Sequence, residues 1–395
     1  MLEMLDALAA AEGPRAVATI VRASGSVPRP AGTSMLISAA GQVTGSLSGG
    51  CVEAAVVTAA EDVLSDGRPR VESFGYSDSD AFAVGLSCGG TLEVLIESVT
   101  PDMFAEVPDA GTPCALVRRL PGTSADGEAA AHGEAAGLAG PLLITDPART
   151  AATPAALLAA HGPALAALVG TEDAERAAAR LAPLLAAGRT GVLELDGTGD
   201  GDCAGAVLFL ESRLAPPRLV LIGANDFSAA LSRQARLLGY HVTICDARPA
   251  FTTPDRFPAA HQVQVQWPDR YLRAEAAAGR LDARSVVCVL THDAKFDVPV
   301  LAEALRMDLA YVGAMGSRRS HEQRMAALRG AGLGAAQLQM LHSPIGLDLG
   351  AATPEETAVS VFAEIVASRS GAAASGQPLR AVSGPIHPFN RLHAS

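Results

Sequence analysis

Two cysteines set among glycines are the residues of this chain best suited to chemistry: Gly45-Ser46-Leu47-Ser48-Gly49-Gly50-Cys51-Val52-Glu53 and Gly85-Leu86-Ser87-Cys88-Gly89-Gly90. Clustered glycines let the main chain approach a bound group closely, and a thiol among them places a soft nucleophile beside that group. Residues 52–64 are helix formers with apolar residues at helical spacing, so Cys51 is predicted at a helix N-terminus. There the helix dipole and unpaired N–H groups favour an anion, whether a thiolate or a ligand phosphate. Cys51 and Cys88 are thus the candidate reactive thiols, with Ser48, Gly49, Gly50, Glu53, Gly89 and Gly90 as candidate ligand contacts. The competing reading is packing. Free cysteine is among the residues most often buried, and Cys88 also fits a turn before an extended run at 91–96.

A second set of polar residues follows hydrophobic runs in the C-terminal half. Residues 218–222 lead into Gly223-Ala224-Asn225-Asp226, a helical stretch reaches about residue 238, and residues 241–245 end at Asp246. This is a βαβ pattern, with an acidic residue about 20 positions after the first glycine, as in dinucleotide-binding folds. The glycine fingerprint is incomplete, because Asn225 holds the second glycine position and Ser228 the third. The expected ligand places its ribose at Asp246 and its phosphates at the Gly223 turn, and Arg248 could admit a 2′-phosphate. A βαβ unit with no ligand remains the alternative.

Further apolar runs at 285–290 and 309–312 end in Thr291-His292-Asp293 and in Gly313-Ala314-Met315-Gly316-Ser317-Arg318-Arg319. In an open parallel sheet both clusters fall on the carboxyl edge, where ligands bind. Gly316, Ser317, Arg318 and Arg319 open a helix, so N–H groups and two guanidiniums are available to phosphate. His292 and Asp293 either position a ligand, move a proton or form a structural pair. The box Thr353-Pro354-Glu355-Glu356 reads as a helix cap.

The elements that position these groups fall into two parts. In the first hundred residues, extended runs at 16–22 and 33–37 flank a proline-bearing loop, 24–32, which carries Arg29 as a candidate phosphate contact or a solvated arginine. Residues 121–137 read as a surface loop, 153–188 as alanine- and leucine-rich helices, and 191–195 and 206–211 as strands; no chemistry is legible there. The character changes at Pro216-Pro217. The expected fold is α/β: an N-terminal mixed α/β domain (1–213), a C-terminal Rossmann-like doubly wound parallel sheet (217–368) and a tail (369–395).

A chain of 395 residues is long enough for more than one core. Its net charge of −12 argues against a general nucleic-acid binder. The N-terminus lacks a secretory layout and no run is long enough to span a bilayer, so no membrane is implied and a cytoplasmic location is expected. The six cysteines are dispersed, with neither a Cys-x-x-Cys nor a close histidine pair, so no disulfide framework and no structural zinc are indicated.

Taken together, Gly25-Ser26-Val27-Pro28-Arg29, Ser46 to Glu53, Leu290 to Asp293, Tyr311 to Arg319 and Pro344-Ile345-Gly346-Leu347-Asp348 closely resemble the XdhC/CoxI family of xanthine dehydrogenase accessory proteins. The resemblance covers both ends of the chain in family order and leaves the middle uncovered. It implies transient binding of molybdenum cofactor, its sulfuration with help from a cysteine desulfurase, and its delivery to a molybdenum hydroxylase of the xanthine dehydrogenase type. The chain departs from the family at Asn225-Asp226, where glycine followed by histidine is frequent, and this weakens the implied dinucleotide site. A carrier of this cofactor needs N–H donors for phosphate, shelter from water and a soft ligand, and it must also let go. No iron–sulfur or flavin-domain signature supports stand-alone turnover of xanthine. The rival readings are an NAD(P)- or flavin (FAD)-dependent oxidoreductase using the Rossmann-like domain, and a ligand-free assembly scaffold. A homodimer enclosing the cofactor between domains is expected.

Overall fold

The computed structural model describes residues 1–10, 13–24, 29–48, 51–74, 91–100, 112–121, 140–195, 206–369 and 376–383. Gly49, Gly50, Cys88, Gly89, Gly90, the Gly25 to Pro28 motif and nearly all of the 121–137 segment lie outside them. Met1–Ala215 and Pro216–Val382 form two compact units.

The first unit opens with a short helix, α1 (Leu5–Ala9), and a five-stranded antiparallel sheet of β1 (Arg15–Ser24), β2 (Ser34–Ser38), β3 (Val43–Gly45), β4 (Arg70–Phe74) and β5 (Thr91–Val99), in the order β3-β2-β1-β5-β4. Between β3 and β4 runs helix α2 (Cys51–Asp66). The period-2 alternation of β1 sends Ala16, Ala18 and Ile20 toward α2, where Val52, Val56, Ala60 and Val63 form one buried stripe at helical spacing. Val17 and Val21 face the other way, onto a second sheet.

That second sheet was only half legible in the sequence. It holds β6 (Cys114–Arg119), β7 (Leu142–Thr145), β8 (Gly191–Leu195) and β9 (Ala206–Arg213), antiparallel in the order β7-β6-β9-β8. Helices α3 (Pro147–Thr150), α4 (Pro154–Val169) and α5 (Ala174–Ala186) cover one face against Ala115, Val117, Leu208 and Leu210. On the other face Cys114 and Leu116 meet Val17 and Leu36, and Phe209 meets Val21 and Leu95. Buried Arg118 ties the two sheets: it pairs with Glu211 of β9 at 2.9 Å and with Glu97 of β5.

The second unit is a six-stranded, all-parallel sheet: β10 (Arg218–Ile222), β11 (His241–Asp246), β12 (Gln262–Val265), β13 (Val286–Val289), β14 (Tyr311–Ala314) and β15 (Leu341–His342). The order β12-β11-β10-β13-β14-β15 is the Rossmann order, so the expected doubly wound α/β domain is present. Its central strands are continuous apolar runs because both faces are covered. Helices α6 (Asp226–Leu237) and α11 (Pro354–Arg369) pack on one face; α7 (Pro268–Ala277), α8 (Ala294–Ala304), α9 (Arg318–Gly330) and α10 (Ala335–Gln339) pack on the other. The cap read at Thr353 forms: Thr353 Oγ1 accepts from the Glu356 N–H at 3.2 Å, and Glu356 Oε2 accepts from the Thr353 N–H at 3.1 Å. Among the described residues no single helix is long and apolar enough to cross a membrane.

Candidate functional site at the carboxyl edge of the parallel sheet

The β10–α6 turn is where the sequence places a pyrophosphate, and its geometry is specific. Gly223 sits at φ +112°, and a Cβ there would lie 2.7 Å from Thr291 Cγ2, so only glycine fits. Asn225 caps α6: its Oδ1 accepts from the Ser228 N–H at 3.0 Å, while its Nδ2 donates to the Leu290 carbonyl at 2.9 Å. The side chain thus fills the space that a second glycine would leave open, and it consumes a helix N–H. Asp226 adds a negative charge in the first turn, opposed to a bound phosphate.

Asp246, at the end of β11, does not wait for a ribose. Its Oδ1 accepts from the Arg248 N–H and Nε, both at 2.9 Å; its Oδ2 accepts from the Ala224 N–H at 2.9 Å and from Arg248 Nη2 at 2.6 Å. All four acceptor positions of the carboxylate are filled and the residue is 2% exposed. Burial alone would raise the Asp246 carboxyl; the hydrogen bonds from Arg248 and from the Ala224 and Arg248 N–H groups outweigh it and hold the group below its usual range. The expected ribose contact at Asp246 and 2′-phosphate contact at Arg248 therefore find both side chains committed to each other. In this arrangement a dinucleotide's ribose finds no free acceptor on Asp246.

Beside the turn lies a cavity of about 510 Å³, built from three strand ends. Ala224, Asn225 and Asp226 follow β10, Arg248, Phe251 and Arg256 follow β11, and Leu290 to Asp293 with Phe296 follow β13. The structure thus brings Asn225, Arg248, His292 and Asp293 of the sequence candidates to one cavity. Phe251, Arg256 and Phe296 were not anticipated, since a lone aromatic or arginine carries no pattern, whether in a loop or, like Phe296, in the first turn of a helix. Asp293 caps α8, and its carboxyl is held low by Lys295, whose ammonium lies 3.0 Å away. The chain's one tryptophan, Trp267, packs on Phe296 at 5.2 Å between ring centroids.

Farther along the same edge, Gly313 lies in β14 and Gly316 to Arg319 start α9. Ser317 caps that helix, accepting from the Ser320 N–H at 3.1 Å, and Arg318 and Arg319 are exposed. These residues do not line the cavity. What positions them is buried Arg324, which sequence reading missed: it donates to the Met315 carbonyl at 2.8 Å, to Ser343 Oγ at 2.9 Å and to Asp297 Oδ2 at 3.2 Å. Thr291 Oγ1 donates to the other Asp297 oxygen. One ion pair thus connects the ends of β13, β14 and β15. Glu364 of α11 clamps the segment after β15, accepting from the Gly346 N–H at 2.7 Å and from Tyr311, and meeting His342 Nδ1 at 3.0 Å. Gly346, at φ +98°, lies so close that an added Cβ would be 2.5 Å from Ser360 Oγ.

In the first unit, Cys51 is the first residue of α2, as the spacing predicted. Glu53 braces the preceding turn, where Oε1 accepts from Ser46 Oγ at 2.6 Å and from the Leu47 N–H at 3.1 Å; Ser48 is half-buried beside it and Arg29 is exposed. Cys114, Cys245 and Cys288 are fully buried. Burial pushes the Cys245 thiol up to about 12 and raises those of Cys114 and Cys288, so none of the three is a thiolate at neutral pH.

The strand order, the all-parallel sheet and the cavity at its carboxyl edge define a Rossmann-type domain joined to an antiparallel two-sheet domain in which one helix begins at a cysteine. The chain belongs to the XdhC and CoxI family: the family's own model matches residues 8–75, and the model of the XdhC Rossmann domain matches residues 219–365. It is 27% identical over 375 residues to a probable xanthine dehydrogenase subunit from Bacillus subtilis, covering 93% of this chain and 96% of that protein. It is 24% identical over 366 residues to the molybdenum cofactor insertion chaperone PaoD of Escherichia coli, covering 92% and 86%. The protein YqeB of Escherichia coli is 33% identical over 174 residues, and the chain spans 31% of its length. The fold is similar to that of a crystal structure described as a xanthine dehydrogenase from Bacillus halodurans, with a TM-score of 0.61 and 23% identity over 95% of this chain and 97% of that one.

Proposed function

We propose that this chain is a molybdenum-cofactor maturation factor: it binds the cofactor transiently, supports its sulfuration and delivers it to a molybdenum hydroxylase of the xanthine dehydrogenase type. The observation that carries this reading is the similarity to a molybdenum cofactor insertion chaperone over 92% of the chain, which includes both units and not the Rossmann-type domain alone. Arg29, Ser48, Gly49, Gly50, Gly89 and Gly90 are the proposed contacts for the cofactor's oxygens in the first unit, and Arg318 and Arg319 in the second. Cys51 is the proposed working thiol, with Cys88 as the alternative, because a helix N-terminus lowers a thiol's pKa. A cysteine desulfurase is the proposed sulfur source and a homodimer the proposed assembly.

The closed β10–α6 turn disfavours the dinucleotide-dependent oxidoreductase as the second reading. The test is anaerobic co-expression with a molybdenum hydroxylase, followed by assay of molybdenum and pterin on the purified chain and of hydroxylase activity. Bound cofactor, and a loss of hydroxylase activation in Cys51→Ala with an unchanged circular dichroism spectrum, are the expected results. A chain that carries no molybdenum or pterin and leaves hydroxylase activity unaltered overturns the reading. Light scattering tests the dimer separately.

A further inference from the structure

We infer that the cavity beyond β10, β11 and β13 binds a nucleoside monophosphate moiety, held by Phe251, Asp226 and Arg256, and that it does so without the pyrophosphate seat of a dinucleotide fold. This goes beyond the cofactor reading and does not depend on it.

Phe251 is 48% exposed at the cavity wall, with the guanidiniums of Arg248 and Arg256 over its ring at 5.1 and 5.9 Å from the centroid. An exposed ring layered with guanidiniums is a stacking platform for a planar base, which gains from both the π-face and the cations. Buried Phe296 gives the cavity a second apolar wall, and about 510 Å³ falls within the usual range for small-molecule sites.

The two arginines differ in what they have left to offer. Arg248 is neutralised by Asp246. Arg256 has no carboxylate partner among the described residues; its Nη1 donates to the Phe251 carbonyl at 2.8 Å, and its guanidinium packs on Phe251 and, at 5.4 Å, on Phe257. It is a cation fixed in place with unused donors facing an open cavity, which is the geometry that receives a phosphate. Asp226, which also lines the cavity, is exposed and accepts no hydrogen bond from any described residue. With Asp246 saturated, Asp226 is an acceptor available to sugar hydroxyls, and its charge disfavours a phosphate placed next to it. A second nucleotide and a pyrophosphate gain nothing here, because Asn225 and Asp226 occupy the start of α6.

The experiment uses the full chain and the fluorescence of Trp267, which reports on Phe296, supported by titration calorimetry. The probes are the four ribonucleoside monophosphates, their nucleosides, inorganic phosphate and NAD. At least one monophosphate is expected to bind at millimolar concentration or below, about 10-fold or more tighter than its nucleoside, a difference of about 1.4 kcal/mol. Arg256→Gln should abolish that preference, with a smaller loss for the nucleoside than for the monophosphate, Phe251→Ala should weaken both, and Asp226→Asn should weaken the nucleoside more than the monophosphate, because it removes a charge that opposes phosphate. NAD should bind no tighter than AMP. Phe251, Asp226 and Arg256 are exposed, so melting curves of the variants should match the parent. No binding of any monophosphate at millimolar concentration, a phosphate preference that survives Arg256→Gln, or NAD binding about 10-fold tighter than AMP each overturns the assignment. Molybdenum content, measured on the same preparations, tests the cofactor reading independently.

Discussion

Arg248 closes over Asp246 with its backbone N–H, Nε and Nη2, and leaves the carboxylate no free acceptor once the Ala224 N–H is added. An acidic residue that ends the second strand of a Rossmann fold usually meets a ribose. Here it holds the glycine turn to its own arginine.

Asp246→Asn should therefore lower stability, not ligand affinity. Losing charge-assisted hydrogen bonds at a buried site costs about 1–3 kcal/mol, read as a drop in the urea midpoint. Because the folded carboxyl lies below its unfolded value, its contribution is complete above about pH 4 and is lost as the pH falls through the folded pKa. The variant should show a shallower acid slope than the parent. An unchanged midpoint at neutral pH would mean that Asp246 is not structural.

The Asp297–Arg324 pair makes a different demand. Both side chains are about 5% exposed, and breaking such a pair leaves one charge without a partner, at a cost of about 3–5 kcal/mol. Arg324→Met and Asp297→Leu should each destabilise by an amount of that order, and the double variant by less than either single change. Strict additivity in the double-mutant cycle would show that the two residues do not act as a pair.

His261 Nδ1 accepts from the Val242 N–H at 3.0 Å, which needs that nitrogen unprotonated, and His241 stacks on it at 4.5 Å. Burial, then Arg236 and Arg218, hold His261 below its usual pKa; burial, Arg218 and His261 do the same for His241 against the weaker pull of Glu275. Below about pH 6.5 the unfolded chain takes up protons that the folded pair resists. Stability from these groups is thus complete above that pH and declines as the pH falls toward the folded values. His261→Phe should lower the urea midpoint at pH 7.5, where the Val242 N–H loses its acceptor, and flatten the decline toward pH 5. A variant whose loss is the same at both pH values would remove the pair as a source of pH dependence.

Cys114, Cys245 and Cys288 should resist iodoacetamide at pH 8 in the native chain and react once urea unfolds it, as peptide mapping would show. Native labelling of Cys245 at a rate close to that of a free thiol would contradict the burial that raises its pKa.

The amino-acid sequence by itself determined the two-part α/β organisation, the four central strands of the parallel sheet and the helix that begins at Cys51. These are local: apolar runs of strand length, a glycine that must turn with φ positive and a helical stripe each show within a dozen residues. It also marked Asn225 as a departure from a glycine fingerprint. What it could not show is that Asn225 reaches the Leu290 carbonyl, that Arg248 saturates Asp246 and that Arg324 finds Asp297 inside the fold. β6, β7 and the edge strands β12 and β15 were missed for the same reason, since each is a short run that only its partner strand makes recognisable. An arginine or an aspartate reads as a surface charge until its partner is known, and a hydrogen bond across tens of residues has no periodicity to betray it. Tertiary structure alone decided which polar groups are spent inside the protein and which, like Arg256 and Asp226, line the cavity with no ion-pair partner among the described residues.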